Sequence, residues 1–187
     1  KKKYNTMSCA FIDDGRPLNC KNNVGGLKNV YFIKSVESEW TVGSTDEVSA
    51  YTGSASAYKY ELKGNSTFEQ TITSSRENGT VFYEQVLNLT LPQLSAVDNK
   101  AIKLLTWDNP QVLVEDYNGN IFLVGLQNGA DVTGGTIVTG SAMGDMSGYT
   151  LTLTGMEQEP ALLVDPSLRT PTEWTFDGGI LLTIDSN

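Results

Sequence analysis

Residues 66–91, STFEQTITSSRENGTVFYEQVLNLTL, decide the fold. Asn78-Gly79 lies between two β-rich runs, and this dipeptide tolerates the positive φ values that a tight hairpin turn requires. A two-residue turn there places Phe68 opposite Leu89, Gln70 opposite Leu87, Ile72 opposite Gln85 and Ser74 opposite Tyr83. Phe68, Ile72, Tyr83, Leu87 and Leu89 then share one face, the expected packing face. Glu69, Thr71, Thr73, Glu84 and Asn88 share the other, which is mostly Thr, Ser and Glu. A slip of one residue would exchange the two faces, so the alternation pins the pairing. Arms of about eleven residues exceed the usual strand of about five or six. The segment therefore reads as a long ribbon with one apolar and one wet face.

Outward from this ribbon the chain keeps β character. Leu27–Val36 reads as a strand with Val30 and Phe32 on one side and Tyr31 and Ile33 on the other, and Trp40–Val42 as its continuation. Residues 43–54 are polar and rich in Gly and Ser, and are expected to form a loop. Ala55–Leu62, Gln111–Tyr117, Asn120–Leu126, Thr136–Ala142, Tyr149–Met156, Ala161–Val164 and Ile180–Asp185 are further predicted strands. A second Asn-Gly pair, Asn118-Gly119, makes a hairpin of the second and third of these. Only one helix is expected, capped by Ser95 with Asp98 three residues on. Its apolar stripe is Val97, Ala101, Leu104 and Leu105, and it stops near Trp107 because Asn109 precedes a proline. The sum is a mainly β protein: a β-sandwich or barrel with one packed α-helix and a long hairpin. Residues 1–187 form a single domain of a length that buries a core without disulfides, with 1–24 as an arm and 165–187 as an extension or last strand.

Charge and composition narrow the function classes. The net charge of −9 falls wholly in the second half: residues 1–94 balance ten Lys/Arg against ten Asp/Glu, whereas 95–187 set three against twelve. Such a surface repels nucleic acid. There are no histidines, which removes the commonest general base, the commonest metal ligand and every Ser-His or Cys-His pair. Gly125–Gly129 and Gly134-Gly135 lack the Lys-Ser/Thr of a phosphate loop. The expectation is of no enzyme and no cofactor. Glu157 and Asp177 are a conceivable carboxylate pair, but in a chain with 22 acids some pair always looks suggestive.

Cys9 and Cys20 read as reduced thiols, without the four ligands that zinc prefers. Asp13-Asp14-Gly15 and Asp116–Asn120 offer oxygen ligands for calcium, and plain turns explain them better. Trp40, Trp107 and Trp174 are expected to pack in the core or an interface rather than form a sugar platform. No apolar run is long enough to span a membrane or to follow Lys1-Lys2-Lys3 as a signal peptide.

In its outline, the chain resembles the tail tube proteins of tailed bacteriophages and the tubes of related injection machines. The likeness covers most of residues 25–164. Short phrases add to it, being similar to virion proteins of phages that infect Bacteroidetes-type hosts: Gly25-Gly26-Leu27-Lys28-Asn29-Val30-Tyr31, Asp145-Met-Ser-Gly148-Tyr149-Thr-Leu-Thr152 and Glu159-Pro160-Ala161. The resemblance implies a structural virion protein, made in the host cytoplasm, whose six copies join hairpins edge to edge around a lumen and stack as rings. Its partners would be itself, other tail or neck proteins, and DNA that passes without sticking. Glu69, Thr71, Thr73, Glu84 and Asn88 would line the channel. The Asn-Gly tip, the 43–54 loop and the N-terminal arm would be candidates for contacts between rings. Head–tail connectors and tail terminators share this outline, and a surface carbohydrate-binding sandwich is the alternative outside viruses.

Overall fold

The structure, a computed structural model, describes residues 23–33, 39–52, 56–165, 173–176 and 180–185. Cys9, Cys20, the Asp13-Asp14-Gly15 cluster and Asp177 lie outside them. The chain runs β1 (Leu27–Ile33), β2 (Glu39–Val42), β3 (Glu47–Thr52), β4 (Ser56–Glu61), β5 (Thr67–Ser75), β6 (Thr80–Pro92), α1 (Ala96–Leu105), β7 (Gln111–Asp116), β8 (Ile121–Val124), β9 (Asp131–Val138), β10 (Gly148–Glu157), β11 (Leu162–Val164), β12 (Glu173–Phe176) and β13 (Ile180–Asp185). The strands form two sheets. One has nine strands in the order β12-β13-β4-β1-β7-β8-β11-β3-β2, and the other has four in the order β5-β6-β10-β9. The protein is mainly β, as expected, and is a sandwich of two sheets rather than a closed barrel.

Strand β1 explains why the large sheet is central. Its side chains are buried on both faces, so Val30 and Phe32 enter one core while Tyr31 and Ile33 enter another. The first core lies between the sheets and takes Leu87, Leu89, Leu151 and Leu153 from the smaller one, with Ile102 from α1. The second core lies on the far side of the large sheet and gathers Val48, Tyr51, Leu113, Leu123 and Val164. The large sheet must curl over to enclose it. Trp40 on β2 marks that curl: its indole N–H donates to Gln111 Oε1 on β7 at 2.7 Å, and its ring packs on Tyr51. Each such apolar side chain contributes about 1.5–3 kcal/mol when fully buried. A carboxylate sits beside them. Glu115 is buried and accepts from Asn29 Nδ2 at 2.6 Å and the Tyr31 hydroxyl at 3.1 Å, with Lys28 3.6 Å away. These partners satisfy the carboxylate where water is excluded.

Three expectations change. The loop expected at 43–54 is overturned over Glu47–Thr52, which forms β3, paired with β2 and β11. Tertiary burial of Val48 and Tyr51 overrides the polar composition around them. Trp40–Val42 does not prolong β1 but pairs with β3. Helix α1 is capped as expected, with the Asp98 N–H donating to Ser95 Oγ at 3.0 Å and the Ser95 hydroxyl to Asp98 Oδ2 at 2.6 Å. Its buried side is different, however. Ile102 is its one fully buried residue, Leu105 is half-buried against the core, and Val97 and Leu104 are exposed. The Tyr149 hydroxyl donates to the Ser95 carbonyl, and that bond helps to set the rotation of the helix.

Candidate functional site

The ribbon turns through four residues, Arg76 to Gly79, rather than two. Gly79 holds φ +64°, a left-handed value that glycine adopts without strain, and the Asn78 N–H donates to Ser75 Oγ. The pairing is therefore displaced by two from the expected one: Phe68 faces Leu87, Gln70 faces Gln85, Ile72 faces Tyr83 and Ser74 faces Val81. A four-residue loop built around an ordinary turn is a common hairpin closure, and the Asn-Gly signal alone does not exclude it. Since the displacement is even, both faces keep their membership.

All five proposed polar residues lie on one face. Thr67 pairs with Asn88, Glu69 with Val86, Thr71 with Glu84 and Thr73 with Phe82. That face continues across the sheet. Thr150, Thr152 and Thr154 of β10 lie opposite Thr90, Asn88 and Val86, and Thr136 of β9 lies opposite Thr150. Hydroxyls link the strands: Thr136 to Thr150 at 2.6 Å, Thr133 to Thr154 at 3.0 Å, and Thr152 to Asn88 Oδ1 at 2.9 Å. The charged residues of this face are Glu69, Glu84 and Asp131, and the register puts no Lys or Arg among them. The threonines of β9 and β10 were missed at the sequence level. Their signal was the alternation Tyr149, Leu151, Leu153 against Thr150, Thr152, Thr154; the glycines of β9 hid its continuation.

The opposite face divides along its length. Leu87 and Leu89 are buried, Phe68 is half-buried against Phe122, and Tyr83 is half-buried. Ile72 shares this face but is 66% exposed, and Val81 is exposed beside it. The assignment of Ile72 to packing within the subunit is thus corrected: the outer part of the ribbon runs past the body of the protein. The inner part is tied down by side-chain amides. Gln85, 1% exposed, accepts from the Gly125 N–H at 3.0 Å, and Gln70 Oε1 accepts from the Ala161 N–H at 2.9 Å. Next to them Glu157 accepts from the N–H groups of Gln127 and Asn128 at 3.0 and 2.8 Å. Burial pushes its pKa up, against the effect of those two bonds. Glu157 thus holds a loop.

Both edges of the four-stranded sheet, β5 and β9, are unpaired among the described residues. β5 spans nine residues and contains neither proline nor lysine, the residues that usually blunt an exposed edge. β9 has a bulge at Thr133 and ends in a loop ordered by Asp145. The Asp145 carboxylate accepts from the Ser141 and Ala142 N–H groups and from the Ser141 hydroxyl, which lowers its pKa.

Other candidates are occupied by structure. The Asp116 carboxylate accepts from the backbone and side-chain amides of Asn118 and Asn120, at 2.7 to 3.1 Å. Burial opposes its ionisation, yet these bonds prevail and lower its pKa. No group of three potential metal ligands occurs among the described residues, and none of their helices is long and apolar enough to cross a membrane. Trp40 is engaged by Tyr51 and Gln111, whereas Trp107 is 85% exposed at the end of α1 rather than packed within the subunit. No protein-family model, curated protein or solved structure matches the chain.

Proposed function

We propose that this protein is a self-assembling structural subunit of a bacteriophage tail tube, whose copies form a ring around a DNA-conducting lumen. The observation that carries the reading is the four-stranded sheet, whose two edges are open among the described residues and one of whose faces is Thr-rich and acid-bearing. Strands β5, β6, β10 and β9 alternate in direction, each neighbouring pair being antiparallel. Because their number is even, β9 of one copy meets β5 of the next in antiparallel sense when copies repeat around an axis. Ring closure then removes both edges of the small sheet. Six copies, the number the resemblance implies, contribute twenty-four strands. At about 4.8 Å per strand these make a backbone cylinder about 37 Å across, and wider with tilt.

The polar face suits the lumen. Its hydroxyls satisfy one another or water, and Glu69, Glu84 and Asp131 repel phosphate, so DNA slides without a binding site. The Asn78-Gly79 tip and the 139–147 loop, where Met143 is exposed, lie at opposite ends of this sheet and would meet when rings stack. The role needs no catalytic group and no cofactor.

Electron microscopy and light scattering on the purified protein test the reading. Rings or tubes are expected. Single rings that never stack would favour a connector or terminator, and a strict monomer at high concentration, alone and with neck proteins, would overturn the proposal.

A further inference from the structure

The two edges of the small sheet are out of step along the strands. Thr67, Asn88, Thr152 and Gly134 share one row across it, and Glu69, Val86, Thr154 and Asp131 share another. Beyond Glu69, β5 runs past the start of β9, while Thr136 to Val138 run past the start of β5. Two copies set edge to edge without stagger would overlap only from Thr67 to Glu69, and Glu69 would face Asp131.

The backbone groups on the two edges match in kind. The Gln93 N–H donates to the Ser147 carbonyl and the Thr90 N–H to Ser66 Oγ, so apolar-face residues of β6 bond to β10 and polar-face residues to β5. Carried outward by the alternation, this leaves the N–H and C=O groups of Phe68, Gln70 and Ile72 on the open side of β5. Those of Val132, Gly135 and Ile137 lie on the open side of β9. All are apolar-face residues, so they can bond to one another.

Only an even stagger sets polar face beside polar face. A stagger of two residues puts Val132 opposite Gln70, and one of six puts Val132 opposite Ser74 and Ile137 opposite Gln70. A stagger of four covers the whole of β9 with Thr67 to Thr73. Ile72 then falls opposite Val132, Phe68 opposite Ile137, and Glu69 opposite Thr136, clear of Asp131. Ile72 and Ile137, 66% and 60% exposed in the single chain, both gain apolar neighbours.

A closed barrel demands the same stagger. One residue per strand is about 3.4 Å along for about 4.8 Å across, a tilt of about 35°, at the lower end of the range usual for barrels. The hand agrees. With the apolar face toward the viewer and β6 running upward, L-residues facing the viewer direct their N–H and C=O groups to the right, so β10 and β9 lie to the right of β6. The fixed twist of strands tilts them up and to the right in a barrel seen from outside. The next copy is therefore raised toward the Pro92 end of β6, which brings Thr67 to Thr73 level with β9. With the polar face outward the next copy would be lowered, and the two edges would share no row.

We propose that the partner of the β5 edge is the β9 edge of a second copy, joined at a stagger of four residues with Ile72 opposite Val132 and Phe68 opposite Ile137. The contact is heterologous, and such contacts generate rings when the rotation closes. This rests on the assembly reading and adds to it the register of the joint.

The test uses the full chain with Cys9 and Cys20 replaced by Ser. Thr136→Cys is mixed under mild oxidation with separate preparations of Thr67→Cys, Glu69→Cys or Thr71→Cys, all at exposed positions. Glu69 and Thr136 form a non-hydrogen-bonded pair in this joint, with Cα atoms about 4.5 Å apart, a separation that a disulfide spans. The Glu69→Cys mixture is expected to cross-link at least about tenfold faster than the other two. Ile137→Asp should keep the melting temperature of the single chain and weaken self-association at least about tenfold. Fastest cross-linking through Thr67→Cys or Thr71→Cys would overturn the register and leave the assembly reading intact. So would assembled particles that cross-link in no mixture, or Ile137→Asp assembling as strongly as the parent. A strict monomer at every concentration would overturn both.

Discussion

The indole of Trp40 donates to the side-chain carbonyl of Gln111 at 2.7 Å, joining strands β2 and β7, which stand four places apart in the same sheet. A bond between such distant strands exists only because the sheet curls, and it closes the second core at its open side. Trp40→Phe keeps most of the ring and removes the donor from a buried acceptor. It should destabilise the fold by about 1–3 kcal/mol in urea denaturation. Unchanged stability would mean that the curl is held by the apolar contacts alone.

Glu157 gives the protein an opposed pH signature. Burial raises its folded pKa above the ordinary glutamate value, with Glu159 adding to the effect. The folded state therefore binds more protons than the unfolded one, and this contribution favours folding below the unfolded pKa and declines as pH rises to the folded value. Glu157→Gln keeps the carbonyl that accepts from Gln127 and Asn128 but does not titrate. Its stability relative to the parent should rise with pH through that window and stay level above it. Denaturation at stepped pH measures the difference, and a level difference throughout would contradict the sign.

Two glycines on paired strands should respond in opposite ways. A Cβ on Gly148 would lie 2.2 Å from the Leu91 carbonyl oxygen, a backbone atom that cannot turn aside. Gly134 meets nothing within 4 Å. Gly148→Ala should be strongly destabilising, by several times the effect of an ordinary surface change. Gly134→Ala should be neutral or stabilising by about 0.4–1 kcal/mol, since it narrows the unfolded ensemble. Thermal melts of both variants decide it.

On the assembly reading, the acidic face governs how DNA passes. Glu69→Lys with Glu84→Lys replaces two repulsive charges by attractive ones on every copy. Assembled particles of the double variant should retain duplex DNA in low salt and release it as salt rises, whereas the parent retains none. Retention by the unassembled variant alone would show that the lumen is not involved.

What the sequence showed and concealed follows from the range of each signal. The two faces of residues 66–91 are a period-two pattern, legible over any strand, and all ten residues assigned to them lie on the sides expected. The register depends on the turn, where Arg76 and Glu77 join Asn78-Gly79 in the loop, and nothing in the dipeptide reveals that. Helix α1 was legible from its cap. Its buried side was not, because Val97, Ile102, Leu104 and Leu105 are all apolar and the docking of Ile102 is decided by the sheets beneath. Strand β3 was concealed for the same reason, since Val48 and Tyr51 earn their burial from a sheet that curls back over them. The open edges are a property of topology and have no local signature at all.

The even displacement of the hairpin has a consequence for how such a protein can vary. Because its faces alternate with period two, the ribbon can gain or lose a pair of residues in each arm without exchanging its polar and apolar sides. Each step alters its projection by about 6.8 Å. The ribbon is therefore an adjustable spacer, its reach open to tuning while the chemistry of each side is conserved.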